Sequence, residues 1–282
     1  MSWRLFNNIL RIARMSLACL GLAYMLAPIF VILLLSVSSE RYLDLPITGV
    51  SAQWYQRLWD HPGYMRSFMN TLIVGIAVSG FTMVLGTMAA LAVVRGKLRY
   101  GKEISSVIMA PLIMPQIILA IGIFPILAGF DLIGSRLGVI VSHTAVALPL
   151  VFMTVSASLR GYSQSMELAA MTLGANNWQT FVHVTFPMIR LGMVVGGIFA
   201  FAFSFDEIII ALFLTDASSV TLPVFMWNEL RFQMDPTIAA ASTVAIVLSL
   251  AMLSAVGLLQ RRSRKTSVSI SRRANPDECA NG

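Results

Sequence analysis

Ser165-Met166-Glu167-Leu168-Ala169-Ala170-Met171-Thr172-Leu173-Gly174-Ala175 runs into Asn176-Asn177-Trp178-Gln179-Thr180-Phe181-Val182-His183-Val184-Thr185-Phe186-Pro187, and the reading of this stretch decides the fold. The first part suits a short helix. Ser163 is placed to cap it, and Glu167 falls in its opening turns, where the helix dipole favours a carboxylate. Ala169, Ala170 and Leu173 give it a small apolar face. Gly174 ends it, because glycine takes without strain the left-handed conformation that closes many helices. Asn176 or Asn177 starts a second helix, which Pro187 follows. Two short amphipathic helices meeting at a glycine make a compact knob, and small alanines on it let another protein approach closely. A knob with an apolar face needs a partner.

Outward from this loop, the chain is apolar on both sides. Six runs reach the roughly 20 mostly apolar residues that a membrane-spanning helix needs: Ser16–Val37, Phe68–Val94, Ser105–Ala128, Leu137–Leu159, Leu191–Leu214 and Thr237–Leu259. Pro28, Pro111, Pro115, Pro125 and Pro149 fall inside them, which membrane helices tolerate when neighbours satisfy the freed backbone groups. Composition agrees. The chain is 57% hydrophobic and 12% charged over 282 residues, against roughly 45–50% and about 25% in soluble domains. Too little polar surface remains to cover a water-soluble globule. The expected fold is therefore an all-α membrane protein with six transmembrane helices.

Lys and Arg set the orientation. With the N-terminus inside, the inner segments hold Arg4, Arg11 and Arg14; Arg95, Lys97, Arg99 and Lys102; Arg160 and Arg190; and six basic residues between Arg261 and Arg273, which is 15 of the 20 in the chain. Both termini are then expected to be cytoplasmic. The division is a cytoplasmic N-terminus (1–15), a first helix (16–37), a periplasmic loop (38–67), a five-helix core (68–259) with a cytoplasmic loop at 160–190, and a disordered basic tail (260–282). The first helix is longer than a secretory h-region of about 7–15 residues and is expected to stay uncleaved. Gln53-Trp54-Tyr55-Gln56-Arg57-Leu58-Trp59 mixes aromatic and polar residues as a short interfacial helix does.

The net charge of +7 comes from clusters beside apolar runs and from the tail. That placement suits anionic lipid head groups rather than nucleic acid. Cys19 and Cys279 make neither a metal-ligand spacing nor a disulfide framework. Gly96-Lys97-Leu98 and Gly101-Lys102-Glu103 lack the hydroxyl and the upstream glycine of a phosphate loop, so ATP is not expected to be bound by this chain. His61, His143 and His183 are far apart in sequence, and Ser142 and His143 are helical neighbours that do not face each other. No catalytic residues and no metal site are expected. Gly192 and Gly196 have the spacing that lets two helices pack closely.

The loop at 160–190 resembles the "EAA" loop of ABC importer permeases, whose pattern is Glu-Ala-Ala, three residues, Gly, nine residues, Ile, any residue, Leu-Pro. Ala169-Ala170, Gly174, Val184 and Phe186-Pro187 match it, while the glutamate of the pattern falls on Leu168, one residue after Glu167. Asn70-Thr71-Leu72 resembles the start of the family's core helices, and Ala110-Pro111-Leu112-Ile113-Met114-Pro115 resembles its next span. Ser204-Phe205-Asp206-Glu207 and Thr221-Leu222-Pro223-Val224 look most like the spermidine/putrescine branch. The resemblance implies a type I importer permease in a bacterial inner membrane. It implies coupling to an ATPase through Glu167, Ala169, Ala170, Gly174, Ala175 and Pro187. The implied partners are a second permease subunit, like or unlike this one, a cytoplasmic ATP-binding dimer that holds ATP and magnesium, and a periplasmic substrate-binding protein. A polyamine is the first substrate expected; an amino-acid derivative, thiamine or ferric iron are alternatives, and an intramembrane enzyme is a more distant one.

Asp206 and Glu207 are the remaining anomaly. Asp206 lies about 15 residues into the fifth span, hence roughly 22 Å from its inner end. A central charge costs about 2.5–3.5 kcal/mol to insert, so such acids face a cavity or a partner. Two readings stand side by side: a place on the substrate path, with Phe203 nearby, or a charge pair with Arg231 or another subunit.

Overall fold

The computed structural model describes residues 3–44, 46–96, 98–232 and 235–274. Its elements are α1 (Trp3–Ser36), α2 (Gln53–Asp60), α3 (Pro62–Arg95), α4 (Gly101–Ile113), α5 (Gln116–Ala128), α6 (Arg136–Arg160), α7 (Ser165–Thr172), α8 (Asn177–Thr180), a π-helical turn (Phe181–Thr185), α9 (Phe186–Asp206), α10 (Ile209–Leu214), α11 (Leu222–Phe232) and α12 (Thr237–Ala274). Among the described residues, five stretches are long and apolar enough to cross a membrane: Leu10–Ser36, Pro62–Arg95, Arg136–Arg160, Asn177–Asp206 and Thr237–Leu259. A sixth is broken. The fold is all-α, as the apolar pattern requires.

The break corrects the third expected span, Ser105–Ala128. α4 and α5 meet at an angle of 106° across Met114 and Pro115. Pro115 has no N–H to give and pushes the residue before it out of the helical region; Met114 accordingly sits at φ −76°, ψ 138°. The fifth span also differs from Leu191–Leu214. Its helix begins upstream, at Asn177, and stops at Asp206, with Glu207 extended at φ −73°, ψ 121° before α10. At the ends, α1 is helical from Trp3, so the expected N-terminal segment continues the first helix. α12 continues past residue 260 to Ala274, where a disordered tail was expected; extending an existing helix avoids the cost of a new nucleus. Residues 275–282 of that tail lie outside the described residues.

Two compact units divide the chain. The first comprises Met1–Met65 and Met226–Leu248. There the Trp54 indole, buried in α2, donates to the Ser38 carbonyl at 2.7 Å, and Arg57 pairs with Asp235 at 2.9 Å. Ser38 and Val50 form an isolated antiparallel bridge. α2 is the short aromatic helix expected at Gln53–Trp59.

The second unit comprises Arg66–Phe225 and Ser249–Gly282 and holds the core. α6 is its axis: Val139, Val146, Val151, Val155 and Leu159 are buried along it. Lipid tails are as apolar as these side chains, so association rests on close packing rather than on hydrophobic expulsion. α9 supplies the closeness through the Gly192/Gly196 pair. A Cβ on Gly192 would lie 2.8 Å from the Thr154 carbonyl oxygen, and one on Gly196 2.8 Å from the Val151 Cα. The pair therefore seats α9 on α6 within one chain. At the start of α6, Ser135 caps the helix by accepting the Gly138 N–H at 3.0 Å.

Candidate functional site

The loop between α6 and α9 takes the form its sequence dictates. The expected cap at Ser163 is not made: the N-cap of α7 is Gln164, without a side-chain capping bond, and Ser163 Oγ instead accepts the Ser165 N–H at 3.2 Å. Gly174 stands at φ +91°, the left-handed region. Its N–H donates to the Met171 carbonyl at 3.0 Å, and the Ala175 N–H to the Ala170 carbonyl at 3.1 Å, a Schellman closure of α7. Asn176 then opens α8 with a capping box: its side chain accepts the Gln179 N–H, and the Gln179 side chain accepts the Asn176 N–H. Pro187 falls at the start of α9, directly after the π-helical turn.

What the loop presents outward is apolar. Leu173 is 89% exposed and Trp178 71% exposed. Ala169 and Gly174 are exposed, and Ala170 and Ala175 half-buried. Ala170, Leu173, Ala175, His183 and Val184 line an open groove of about 340 Å³ between the two short helices. Large apolar side chains this exposed, beside a groove, mark a surface meant for another protein.

Glu167 does not belong to that surface. It is buried, and its carboxylate takes three donors. Arg95 Nε, at the end of α3, lies 3.2 Å from both carboxylate oxygens; Thr185 Oγ1, in the π-helical turn, donates at 3.0 Å; the Tyr162 hydroxyl donates as well. Arg95 continues the cluster, donating from Nη2 to the Leu159 carbonyl at 2.8 Å and stacking over the Tyr162 ring at 4.7 Å. Burial first, and then the bond to Glu167, raises the Tyr162 phenol above its ordinary pKa, so it stays a donor. Arg95, Tyr162 and Thr185 were not legible as site residues; Arg95 read only as one of the basic residues that orient the helices.

The two intramembrane acids separate. Asp206 is exposed at the last position of α9, while Glu207 is buried. Because Glu207 has left the helix, the 100° spacing of helical neighbours does not relate the two. The Glu207 carboxylate meets His143 Nε2 at 3.1 Å and accepts the first N–H groups of α10, from Ile210 at 2.9 Å and Ala211 at 3.1 Å. His143 Nδ1 lies 2.9 Å from Ser204 Oγ. Glu207 is paired with His143, and within its own unit the Arg231 guanidinium lies over Trp227 at 5.0 Å. Phe203 is half-buried, and Phe205 is buried against Phe201 with ring centres 5.9 Å apart. Ser204, His143 and Glu207 line up as a hydrolase triad does, but Ser204 is buried and cannot meet a substrate.

Comparison with known proteins follows the same outline. The family described as binding-protein-dependent transport system inner membrane component matches residues 82–265. The spermidine/putrescine transport system permease protein PotC of Escherichia coli (strain K12) is 26% identical over 246 residues, 86% of this chain and 92% of that one. The putrescine transport system permease protein PotI of the same strain is 29% identical over 253 residues, 87% of each chain. In fold, a chain of a bacterial ABC transporter involved in the import of the acidic polysaccharide alginate superposes with a TM-score of 0.72 at 17% identity, covering 91% of this chain and 98% of that one.

Proposed function

The chain belongs to the family of inner membrane components of binding-protein-dependent transport systems, and from that premise we propose that it forms half of the pathway by which an ATP-driven importer carries a polyamine inward. It is a multi-pass inner-membrane protein and a transport subunit, with ATP hydrolysed by a partner chain. The observation that carries the proposal is the α7–α8 knob, whose exposed Leu173 and Trp178 flank a groove at a glycine-closed helix end. In the assembly, two ATP-binding subunits dock on this knob and its counterpart in a second permease, and hold ATP and magnesium. A periplasmic binding protein delivers substrate on the opposite side. Both termini and the loop at 160–190 lie in the cytoplasm, on the side that collects Lys and Arg. Lipid head groups take up the remaining basic charge.

Transport then runs by alternating access. ATP binding closes the ATPases, the knobs move with them, and the helices open outward. The polyamine reading rests on the relatives named for spermidine and putrescine, and on Asp206. An exposed carboxylate in an apolar segment offsets part of the hydration a polycation loses, and Phe203 beside it supplies a ring face for the cation. Glu207 is turned to structure by His143 and α10, so the path reading applies to Asp206 and the structural one to Glu207. The test is reconstitution of the chain with its co-purified partners in lipid vesicles. Labelled spermidine should accumulate only with ATP and binding protein, and putrescine should compete with it. Failure of an ATPase to co-purify would remove the transporter reading; ATP-driven uptake of an anion instead would remove the polyamine.

A further inference from the structure

We propose that Arg95 and Glu167 form the strut through which movement of the docking knob reaches α3. This rests on the reading of the knob as the ATPase contact. An ATPase that pushes on α7 must move the membrane helices, and α7 itself packs chiefly on α8 and the π-helical turn. Among the described residues, the Glu167 carboxylate links α7 to the end of α3. Glu167, in the first turn of α7, holds Arg95 across 72 residues of sequence and Thr185 across 18. Arg95, the last residue of α3, holds the Leu159 carbonyl of α6 across 64. A single linked pair thus ties α3, α6, α7 and the turn that leads into α9. The Arg95 and Glu167 side chains are only 18% and 9% exposed, so water screens the pair little and the link is stiff.

The chemistry suits transmission rather than docking. The carboxylate is buried, and Arg95, Tyr162 and Thr185 all donate to its Oε1, so its bonds are made within its own chain. The guanidinium is a planar fork that can hold a carboxylate and a backbone carbonyl at once in fixed directions; an ammonium group carries the charge without that geometry. Arg95 and Glu167 are positioning residues. They touch neither substrate nor ATP.

The experiment uses the assembled complex in lipid vesicles. Nitroxide labels are placed at the exposed positions Gln164, at the head of α7 and outside the docking groove, and Val84, on α3, with Cys19 and Cys279 replaced by Ser. In the otherwise unaltered complex the distance between labels should stay narrow and unchanged on ATP binding, because knob and helix move together. In Glu167→Gln and Arg95→Gln it should broaden and shift on ATP binding. ATP hydrolysis should persist, and spermidine moved per ATP should fall at least ten-fold. Arg95→Lys keeps the charge the carboxylate needs and should uncouple in the same way at normal yield. An unchanged label distance and an unchanged ratio in these variants overturn the strut. So does normal coupling in Arg95→Lys together with lost assembly in the neutral variants, which would make the pair structural only. Failure of the docking reading looks different: Ala170→Arg would then bind the ATPase normally.

Discussion

Replacing Gly174 by valine tests the knob through its backbone alone. A Cβ on Gly174 meets nothing within 4 Å, so no clash contributes. The whole cost comes from holding an L-residue at φ +91°. A left-handed residue other than glycine costs roughly 1–2 kcal/mol, and a strained one up to about 3 kcal/mol. A β-branched side chain stands at the upper end, so about 2–3 kcal/mol is expected for valine and about 1–2 kcal/mol for alanine. At about 1.4 kcal/mol per factor of ten, valine lowers the closed population of the knob relative to its opened forms by roughly 30- to 150-fold. The readout is hydrogen exchange at the Ala175 amide, which is protected only while it bonds the Ala170 carbonyl. Its exchange should rise in the order glycine, alanine, valine, with asparagine closest to glycine, and recovery of the ATPase on purification should fall in the same order. Equal Ala175 protection in glycine and valine chains would refute the reasoning, because the left-handed turn would then not be what closes α7.

Ala170→Arg should abolish ATPase binding while leaving membrane insertion intact, because it puts a bulky charge into the groove between the two short helices; pull-down of the ATPase checks it. Asp206→Asn should reduce spermidine uptake several-fold with normal assembly, whereas Glu207→Ala should lower the melting temperature of the detergent-solubilised chain by removing the partner of buried His143 and the acceptor of the Ile210 and Ala211 N–H groups, the cap alone being worth about 1 kcal/mol; the opposite assignment of defects would refute it. Asp216 is held down to about 2 by the hydroxyl and N–H groups of Ser218 and the N–H and hydroxyl of Ser219, so it titrates below the unfolded value of about 3.9 and its stabilisation of the 216–219 turn is present above that pH and lost as pH falls toward 2. A carboxyl carbon titration with its midpoint near 3.9 would contradict this. Reporter fusions at Gly49, Asp131 and Ser218 should score as external, and external labelling of a cysteine placed at Trp178 would sink the proposed orientation.

Much of the loop and most of the helices were legible because their signals are local. A run of apolar residues, a glycine after Leu173 and an Asn-x-x-Gln box act within one or two turns. Breaks inside apolar runs were harder. Pro115 was visible, but a proline inside a membrane helix is tolerated where neighbours satisfy the freed backbone groups, and the 106° bend goes with packing of α4 and α5 on different neighbours, α6 and α10, which the local sequence does not encode. The end of α9 at Asp206 had no breaker residue at all. There the capping is done by the Glu207 side chain, which satisfies the first amides of α10 and allows the chain to leave the helix inside an apolar segment.

Polar pairings were not legible, for a different reason. Arg95 and Glu167 are 72 residues apart, and His143 and Ser204 61 apart, so neither partner alters the local pattern around the other. Each looked like an isolated charge or an isolated histidine. The consequence is sharpest at the one-residue offset between Glu167 and the family pattern. On α7 that offset turns the acid inward to Arg95 and leaves Leu168, 56% exposed, at the position where the pattern has glutamate. One step of about 100° therefore separates a side chain that holds the knob to its own protein from one that faces outward, on the surface proposed to dock the ATPase. Outward, the knob offers Leu168, Leu173 and Trp178; its carboxylate works from within.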